Sequence, residues 1–379
     1  MPRELPLDEV MRAVLAREEV VAYLNGSHGE SGAKAEERVH AYLDELRTVQ
    51  RYPIYRALKH PLYPILRKIE RIAEHPDVVR AATARGRVVY VSNHRSHTDY
   101  LVEPLVLEDQ GIRPPVLAAG INLFGGPLGF IHRHVTGAIP IRRNMKDPAY
   151  LITLKAYVSE ILQRHDLMFY IEGGRSYSGE LKAPKTGLVH SALQAERSDL
   201  KFVPCAVSYD LVLEDFILSR QKMKRQQRPF TRELAEMVRY AVGYRSRAFV
   251  TFGEPIDVSQ VDPHARRDVL ELAHNIRDTI GRIMKVLPTS LVAAAMRPSI
   301  RQVDLEGRVA GLIATLQRAN ANLEITDPRE VIDQACRLFV ARGVMVVENR
   351  VYRVRERNVL RYYAHTIDHL LPVPASKAH

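Results

Sequence analysis

Apolar positions along the chain fall into successive patterns. Up to about residue 85 they recur at helical spacing, through Val10, Val14, Val21 and Leu24 and again through Val39, Leu43 and Leu46. Gly26, Ser27, Gly29, Ser31 and Gly32 mark residues 26–36 as a loop between the two tracts. Ile65, Leu66, Ile69 and Ile72, with Lys68 and Arg71 between them, continue the helical pattern. A stripe of this kind reads as a core-facing helix face first and as a membrane-docking face second.

From Gly86 the pattern changes to short apolar runs alternating with helical stretches. Val88–Ser92, Val116–Ala119, Ala138–Ile141, Leu167–Ile171, Phe202–Ser208 and Ala248–Phe252 are expected strands. Pro148–Arg164, Gly187–Arg197, Thr231–Val242 and His264–Lys285 are expected helices. This alternation predicts an α/β domain with functional residues at strand ends and loops. After Pro288 the chain reads as helical through Leu305–Asn320 and Pro328–Ala341. A hairpin follows over Val344–Val354, turning at Glu348-Asn349, and then a helix with Leu360, Tyr363, Ile367 and Leu371 on one face. The expected division is a helical region 1–74, an α/β domain 75–287, and a mainly helical region 288–379 with a short hairpin.

Composition narrows the compartment and the partners. Cys205 and Cys336 are the only cysteines and form no CxxC pair, which fits a reducing cytosol. The formal charge of +11 attracts polyanions: nucleic acid, anionic lipid, acidic carrier proteins or phosphorylated metabolites. The first residues lack the apolar core of a signal peptide. The longest uncharged stretch, Pro115–Ile131, holds four glycines and two prolines and makes a poor membrane-spanning helix. Work on lipid is therefore expected from the membrane surface.

Four segments carry candidate chemistry. In Val91-Ser-Asn-His-Arg-Ser-His-Thr-Asp-Tyr100 an expected strand runs into a polar cluster. His94 and Asp99 would not share a face of one helix, but meet if His94 lies in the turn before it. A carboxylate on one imidazole nitrogen leaves the other free as a base. Alone this spacing is common, a capping Asp and a surface His explain it, and His97 is a rival base. Gly137-Ala-Ile-Pro-Ile-Arg-Arg-Asn144 delivers Arg142 and Arg143, whose forks match phosphate oxygens, or of which one binds and one is solvated. In Phe169-Tyr-Ile-Glu-Gly-Gly-Arg-Ser176 a strand ends in Glu172 and a glycine-rich turn. Backbone amides near Gly173, with Arg175 and Lys182 or Lys185, can surround an anion there. The fourth segment, Phe202-Val-Pro-Cys-Ala-Val-Ser-Tyr-Asp210, passes alone as a core strand.

In this order and spacing the four segments resemble the glycerophospholipid acyltransferases, most closely the glycerol-3-phosphate and dihydroxyacetone-phosphate branch. Leu360-Arg-Tyr-Tyr-Ala-His-Thr-Ile-Asp-His-Leu370 resembles that branch's carboxy-terminal region. The resemblance implies a central mixed sheet flanked by helices. It also implies acyl transfer from acyl-CoA or acyl carrier protein to the sn-1 hydroxyl of glycerol 3-phosphate. His94 would be the base and Asp99 its partner, with Arg95, Ser96, Arg142, Arg143, Glu172, Gly173, Arg175 and Ser176 around the acceptor. Pro140 and Tyr177 depart from the usual residues of their blocks, and the chain is shorter than many bacterial relatives, which suggests lost regulatory or membrane-docking parts.

No cofactor beyond the thioester and no metal is expected. His94 with His97, or His132 with His134, lacks suitably spaced third and fourth ligands. The expected location is peripheral, on the cytoplasmic face of an anionic membrane. Leu117–Ile131 borders an acyl tail or forms a buried strand and loop. The basic stretch Arg220–Arg228 is a solvated segment or a surface for lipid, carrier protein or coenzyme A phosphates. Two alternatives accompany this reading: another acceptor (dihydroxyacetone phosphate or lysophosphatidate), or a non-catalytic basic protein binding membrane or nucleic acid. The second leaves the four segments unexplained, so no nucleic-acid partner is expected.

Overall fold

The structure is a computed structural model that describes residues 7–26, 32–51, 69–134, 136–221 and 246–372, together with 53, 54 and 57. The expected helix Thr231–Val242, most of the basic stretch after Arg220, and Ile65 and Leu66 lie outside the described residues.

Three helices come first: α1 (Leu7–Leu15), α2 (Glu18–Asn25) and α3 (Gly32–Leu46). The chain is thus already helical at Gly32, inside the expected loop. Val10, Val14, Val39, Leu43 and Leu46 are buried, whereas Val21 is exposed and Val20 takes the core position.

The next segment corrects the sequence reading. Ile69–Glu74, expected to be helical, is strand β1, paired in parallel with Ser246–Phe252. Only Ile69 is buried along it, and Glu70, Arg71 and Glu74 supply the charge that keeps an edge strand from further pairing. Isoleucines three apart look helical, and pairing with a distant strand overrides that local signal.

The α/β part continues through α4 (Pro76–Arg85), β2 (Arg87–Ser92), α5 (Asp99–Asp109), β3 (Val116–Gly120), a 3-10 turn (Ile121–Phe124), α6 (Gly126–His134) and β4 (Ile139–Ile141). Then come α7 (Pro148–Arg164), β5 (Leu167–Tyr170), α8 (Gly187–Leu193), β6 (Leu200–Tyr209), α9 (Asp215–Gln221), β7 (Ser246–Phe252), β8 (Ile256–Asp257) and α10 (Arg266–Ile283). Helix α7 has the predicted bounds because Asp147 caps it, accepting the Ala149 N–H at 3.0 Å, with Pro148 at its first position.

The strands form one mixed eight-stranded sheet in the order β1-β7-β6-β2-β5-β3-β4, with β8 beside β6. Strands β6, β2, β5, β3 and β4 run parallel, and β7 runs against β6. The carboxyl ends of five strands therefore lie along one edge, where α/β sheets place their sites. Pro204 sits in central β6, where its missing N–H falls at the change of partner from β8 to β7. Alternate residues of β2 feed two cores: Val89 and Val91 face α1–α3, α7 and α10, and Val88 and Tyr90 face the other side.

That second core is completed by the carboxy-terminal elements. They are β9 (Lys285–Val286), α11 (Pro288–Ala295), β10 (Ser299–Arg301), α12 (Gln302–Arg318), β11 (Asn322–Leu323), α13 (Pro328–Ala341), β12 (Met345–Glu348), β13 (Val351–Val354) and α14 (Arg357–Ala364). The hairpin forms as expected, but its turn lies at Asn349 and Arg350, both at positive φ. The last expected helix gives way after Ala364 to a 3-10 segment.

Candidate active site

Strand β2 ends at Ser92, and Asn93 extends its pairing by side chain, bonding both ways with Val207 of β6. His94 follows in the turn and Asp99 opens α5, the arrangement under which the two can meet. His94 Nδ1 lies 2.8 Å from Asp99 Oδ2. The same oxygen accepts the N–H groups of Arg95 and Ser96 at 2.7 and 2.9 Å, and Oδ1 accepts the Tyr209 hydroxyl at 2.7 Å. The ionised carboxyl accepts every one of these contacts, so Nδ1 carries hydrogen and Nε2 keeps its lone pair.

Electrostatics agree with this assignment. Burial, and then the charges of Arg175, Arg143 and Lys182, hold the imidazole well below its ordinary pKa. Burial pushes the Asp99 carboxyl up to about 6, against the pull of the Ser96 N–H, the Tyr209 hydroxyl and the Arg95 N–H. At neutral pH the pair is a carboxylate and a neutral imidazole.

His94 lines a cavity of about 760 Å³, which residues of the second and third segments also line. Arg142 and Arg143 follow the end of β4 at the turn there, and differ in what they hold. Arg142 borders the cavity but commits its guanidinium to its neighbours: its Nε donates to Glu45 at 2.7 Å and its guanidinium lies over the Tyr42 ring. Arg143 reaches the cavity and makes no ion pair among the described residues. Its guanidinium rests so close to Gly120 and Gly174 that a Cβ on either would come within 3.2 Å of it. Arg175 lines the cavity too, 3.6 Å from Glu214 and over the Tyr177 ring. Gly173, at φ +66°, turns the chain beneath Lys185, whose side chain also borders the cavity.

Five of the expected residues form the frame of this cavity rather than its wall. Glu172 accepts the His94 N–H at 3.0 Å and the Lys182 N–H at 3.1 Å. Ser176 donates its N–H to the His94 carbonyl, and its hydroxyl to Glu180. The Ser96 hydroxyl donates to Glu214, while Arg95 is buried against the Gly179 carbonyl and Met284. The Lys182 ammonium donates to the carbonyls of Gly174 and Arg175.

Sequence reading missed Tyr170, Tyr209 and Glu214. Tyr170 stacks on His94 with centroids 4.1 Å apart and planes 10° from parallel. Glu214 joins Ser96, the His97 N–H (2.6 Å) and Arg175. Tyr170 and Tyr209 lie inside the third and fourth segments and Glu214 just beyond the fourth, and nothing in their neighbours sets them apart from core or surface residues. From Leu117–Ile131, Leu117 is buried, and Ala118, Ala119 and Leu123 line the cavity's apolar part with Tyr150, Leu154 and Phe169. His132 is buried against Tyr100, and burial lowers it to about 4. Glu180, His365 and Asp368 form the one cluster of metal-type side chains among the described residues, and none of the three lines the cavity.

A His–Asp base at the carboxyl edge of a mixed sheet, beside guanidinium groups facing an open cavity, defines the class. Residues 68–208, from the start of β1 through most of β6, match the family described as Acyltransferase. The chain is a relative of glycerol-3-phosphate acyltransferases. It is 31% identical to that of Actinobacillus succinogenes over 80% of this chain and 41% of the relative. It is 28% identical to that of Aeromonas hydrophila over 92% of this chain and 47% of the relative. The chain thus spans less than half the length of these relatives. A solved 1-acyl-sn-glycerophosphate (LPA) acyltransferase from Thermotoga maritima superposes with a TM-score of 0.34 at 12% identity, over 72% of this chain and 90% of that one. A likeness of that size carries no argument.

Proposed function

We propose that the chain transfers a fatty acyl group from a thioester, acyl-CoA or acyl carrier protein, to the sn-1 hydroxyl of glycerol 3-phosphate, giving lysophosphatidate. The observation that carries this reading is the neutral His94 imidazole, hydrogen-bonded to Asp99, opening into the cavity that Arg143 and Arg175 also line. His94 Nε2 takes the hydroxyl proton as the oxygen attacks the thioester carbonyl. The tetrahedral intermediate collapses by breaking the C–S bond, and His94 returns the proton to the departing thiolate. No electrons leave the system, so the balance needs neither cofactor nor metal. Arg143, Arg175 and Lys185 hold the phosphate. The cavity exceeds what a three-carbon phosphate fills, and its apolar part suits the acyl chain.

The acceptor follows from the names of the relatives together with the guanidinium groups at the cavity. A panel of glycerol 3-phosphate, dihydroxyacetone phosphate and lysophosphatidate, each with both donor types, tests it. Turnover of another acceptor without glycerol 3-phosphate would displace this reading.

The site works from the cytoplasmic face of an anionic membrane. No helix among the described residues is long and apolar enough to cross a membrane. Ile121 and Phe130 are exposed on the segments that follow cavity-lining β3, and Arg133 of the same segments lies over the Phe124 ring. Such apolar and basic groups suit a lipid headgroup region. Failure to sediment with phosphatidylglycerol vesicles would remove this location.

A further inference from the structure

Helix α5 carries two buried carboxyl groups one turn apart, Asp99 and Glu103. Their surroundings differ. Asp99 faces backbone N–H groups, a tyrosine hydroxyl and the imidazole. Glu103 has no ion pair among the described residues, and the groups nearest it are the hydroxyls of Ser92 on β2 and Tyr170 on β5. Asp99, with Cys205 and Tyr209 of β6, completes the titratable groups that face it. The carboxyl oxygens of Glu103 and the hydroxyls of Ser92 and Tyr170 lie close enough to interact, yet none closes to hydrogen-bond geometry with a described residue.

Two buried carboxyls this close do not both ionise, and the one with fixed donors keeps the charge. Glu103 is then the neutral acid of the pair, with an O–H to give. An apolar residue would fill this place on α5 at lower cost, since burying a carboxyl is expensive. Two of the groups that face Glu103 touch the base: Asp99, already held by its own donors, and Tyr170, whose ring lies flat against His94.

We propose that Glu103 is a positioning residue: held as a neutral acid beneath the dyad, it anchors the Tyr170 hydroxyl and, through that ring, the plane of the His94 imidazole. This rests on His94 acting as the base. Misplacing a catalytic group by about 1 Å costs on the order of 100-fold.

The test compares Glu103→Gln, Glu103→Leu and Tyr170→Phe in the full chain. Glu103→Gln, which stays neutral and can donate, is expected to keep most of kcat with an unmoved acid limb of the pH profile. Glu103→Leu and Tyr170→Phe are expected to lower kcat roughly 10- to 100-fold with little change in KM, and no further when combined. If Glu103→Leu does not fold, Tyr170→Phe and Glu103→Gln carry the comparison. Histidine 15N resonances, with His94 assigned by its absence in His94→Ala, give a readout that needs no turnover. They should match wild type in Glu103→Gln and move in Tyr170→Phe. The proposal is overturned if a folded Glu103→Leu keeps wild-type kcat, if Glu103→Gln is as damaged as Glu103→Leu, or if its acid limb shifts. A wild-type protein that acylates no acceptor would defeat the proposed reaction while leaving the resonance test of positioning intact.

Discussion

The carboxylate of Glu172 accepts the backbone N–H of His94 at 3.0 Å, joining two segments 78 residues apart in sequence. Its other oxygen accepts the N–H of Lys182. Glu172 therefore fixes where the catalytic turn sits relative to the glycine-rich turn. Glu172→Ala strands buried N–H donors and should cost about 1–3 kcal/mol of stability, read from denaturation midpoints, with a fall in kcat. Glu172→Gln, which can satisfy one donor, should lie between. Unchanged stability and kcat in the alanine variant would contradict this role.

The base can be told from its rival. His97 lines the cavity as well, but the short contact with Asp99 belongs to His94. His94→Ala should lower kcat by roughly 100- to 10,000-fold without loss of helical circular dichroism. His97→Ala should retain much more activity, and the reverse ranking would move the base to His97.

The adjacent arginines should separate in the same way. Arg143→Ala removes a charged partner of the phosphate and should lower kcat/KM for glycerol 3-phosphate roughly 10- to 100-fold, mostly through KM. Arg142→Ala breaks a largely exposed pair with Glu45 worth about 0–1 kcal/mol and should change KM little. Equal effects of the two substitutions would refute this division of roles.

Activity and stability should respond oppositely to acid at Asp99. Its carboxyl is raised from 3.8 to about 6 in the folded chain. As pH falls through about 6 it takes a proton, its hold on the Nδ1 hydrogen weakens, and kcat/KM should drop. A raised value also means that this group's contribution to stability is fully present below 3.8 and lost as pH rises through 6. The fall in rate between pH 7 and 5 should therefore occur with the far-ultraviolet spectrum unchanged.

Sequence reading recovered the strands that carry the four segments because β2, β5 and β6 are short apolar runs bounded by polar turns. The His94–Asp99 contact was legible as a turn followed by a helix start. What escaped it has specific causes. β1 is an edge strand whose isoleucines mimic a helical repeat, and only β7 makes it a strand. The sequence allows that one of Arg142 and Arg143 binds and the other does not, but Glu45, about a hundred residues away, decides which one is engaged elsewhere. Glu103 looks in sequence like a solvent-facing glutamate, and its burial arises only when α5 settles on the sheet.

Gly179 has no room for a side chain: a Cβ there would come within 1.9 Å of the Tyr362 carbonyl on α14. Tyr362 also donates its hydroxyl to the Arg95 carbonyl at 3.4 Å, and Tyr363 donates to Asp215 at 2.9 Å. The catalytic turn is thus clamped by residues made more than 250 positions later. A chain emerging from the ribosome can complete the central sheet well before α14 exists. The shape of that turn is then settled late in synthesis, when the carboxy-terminal helix closes over a sheet already in place.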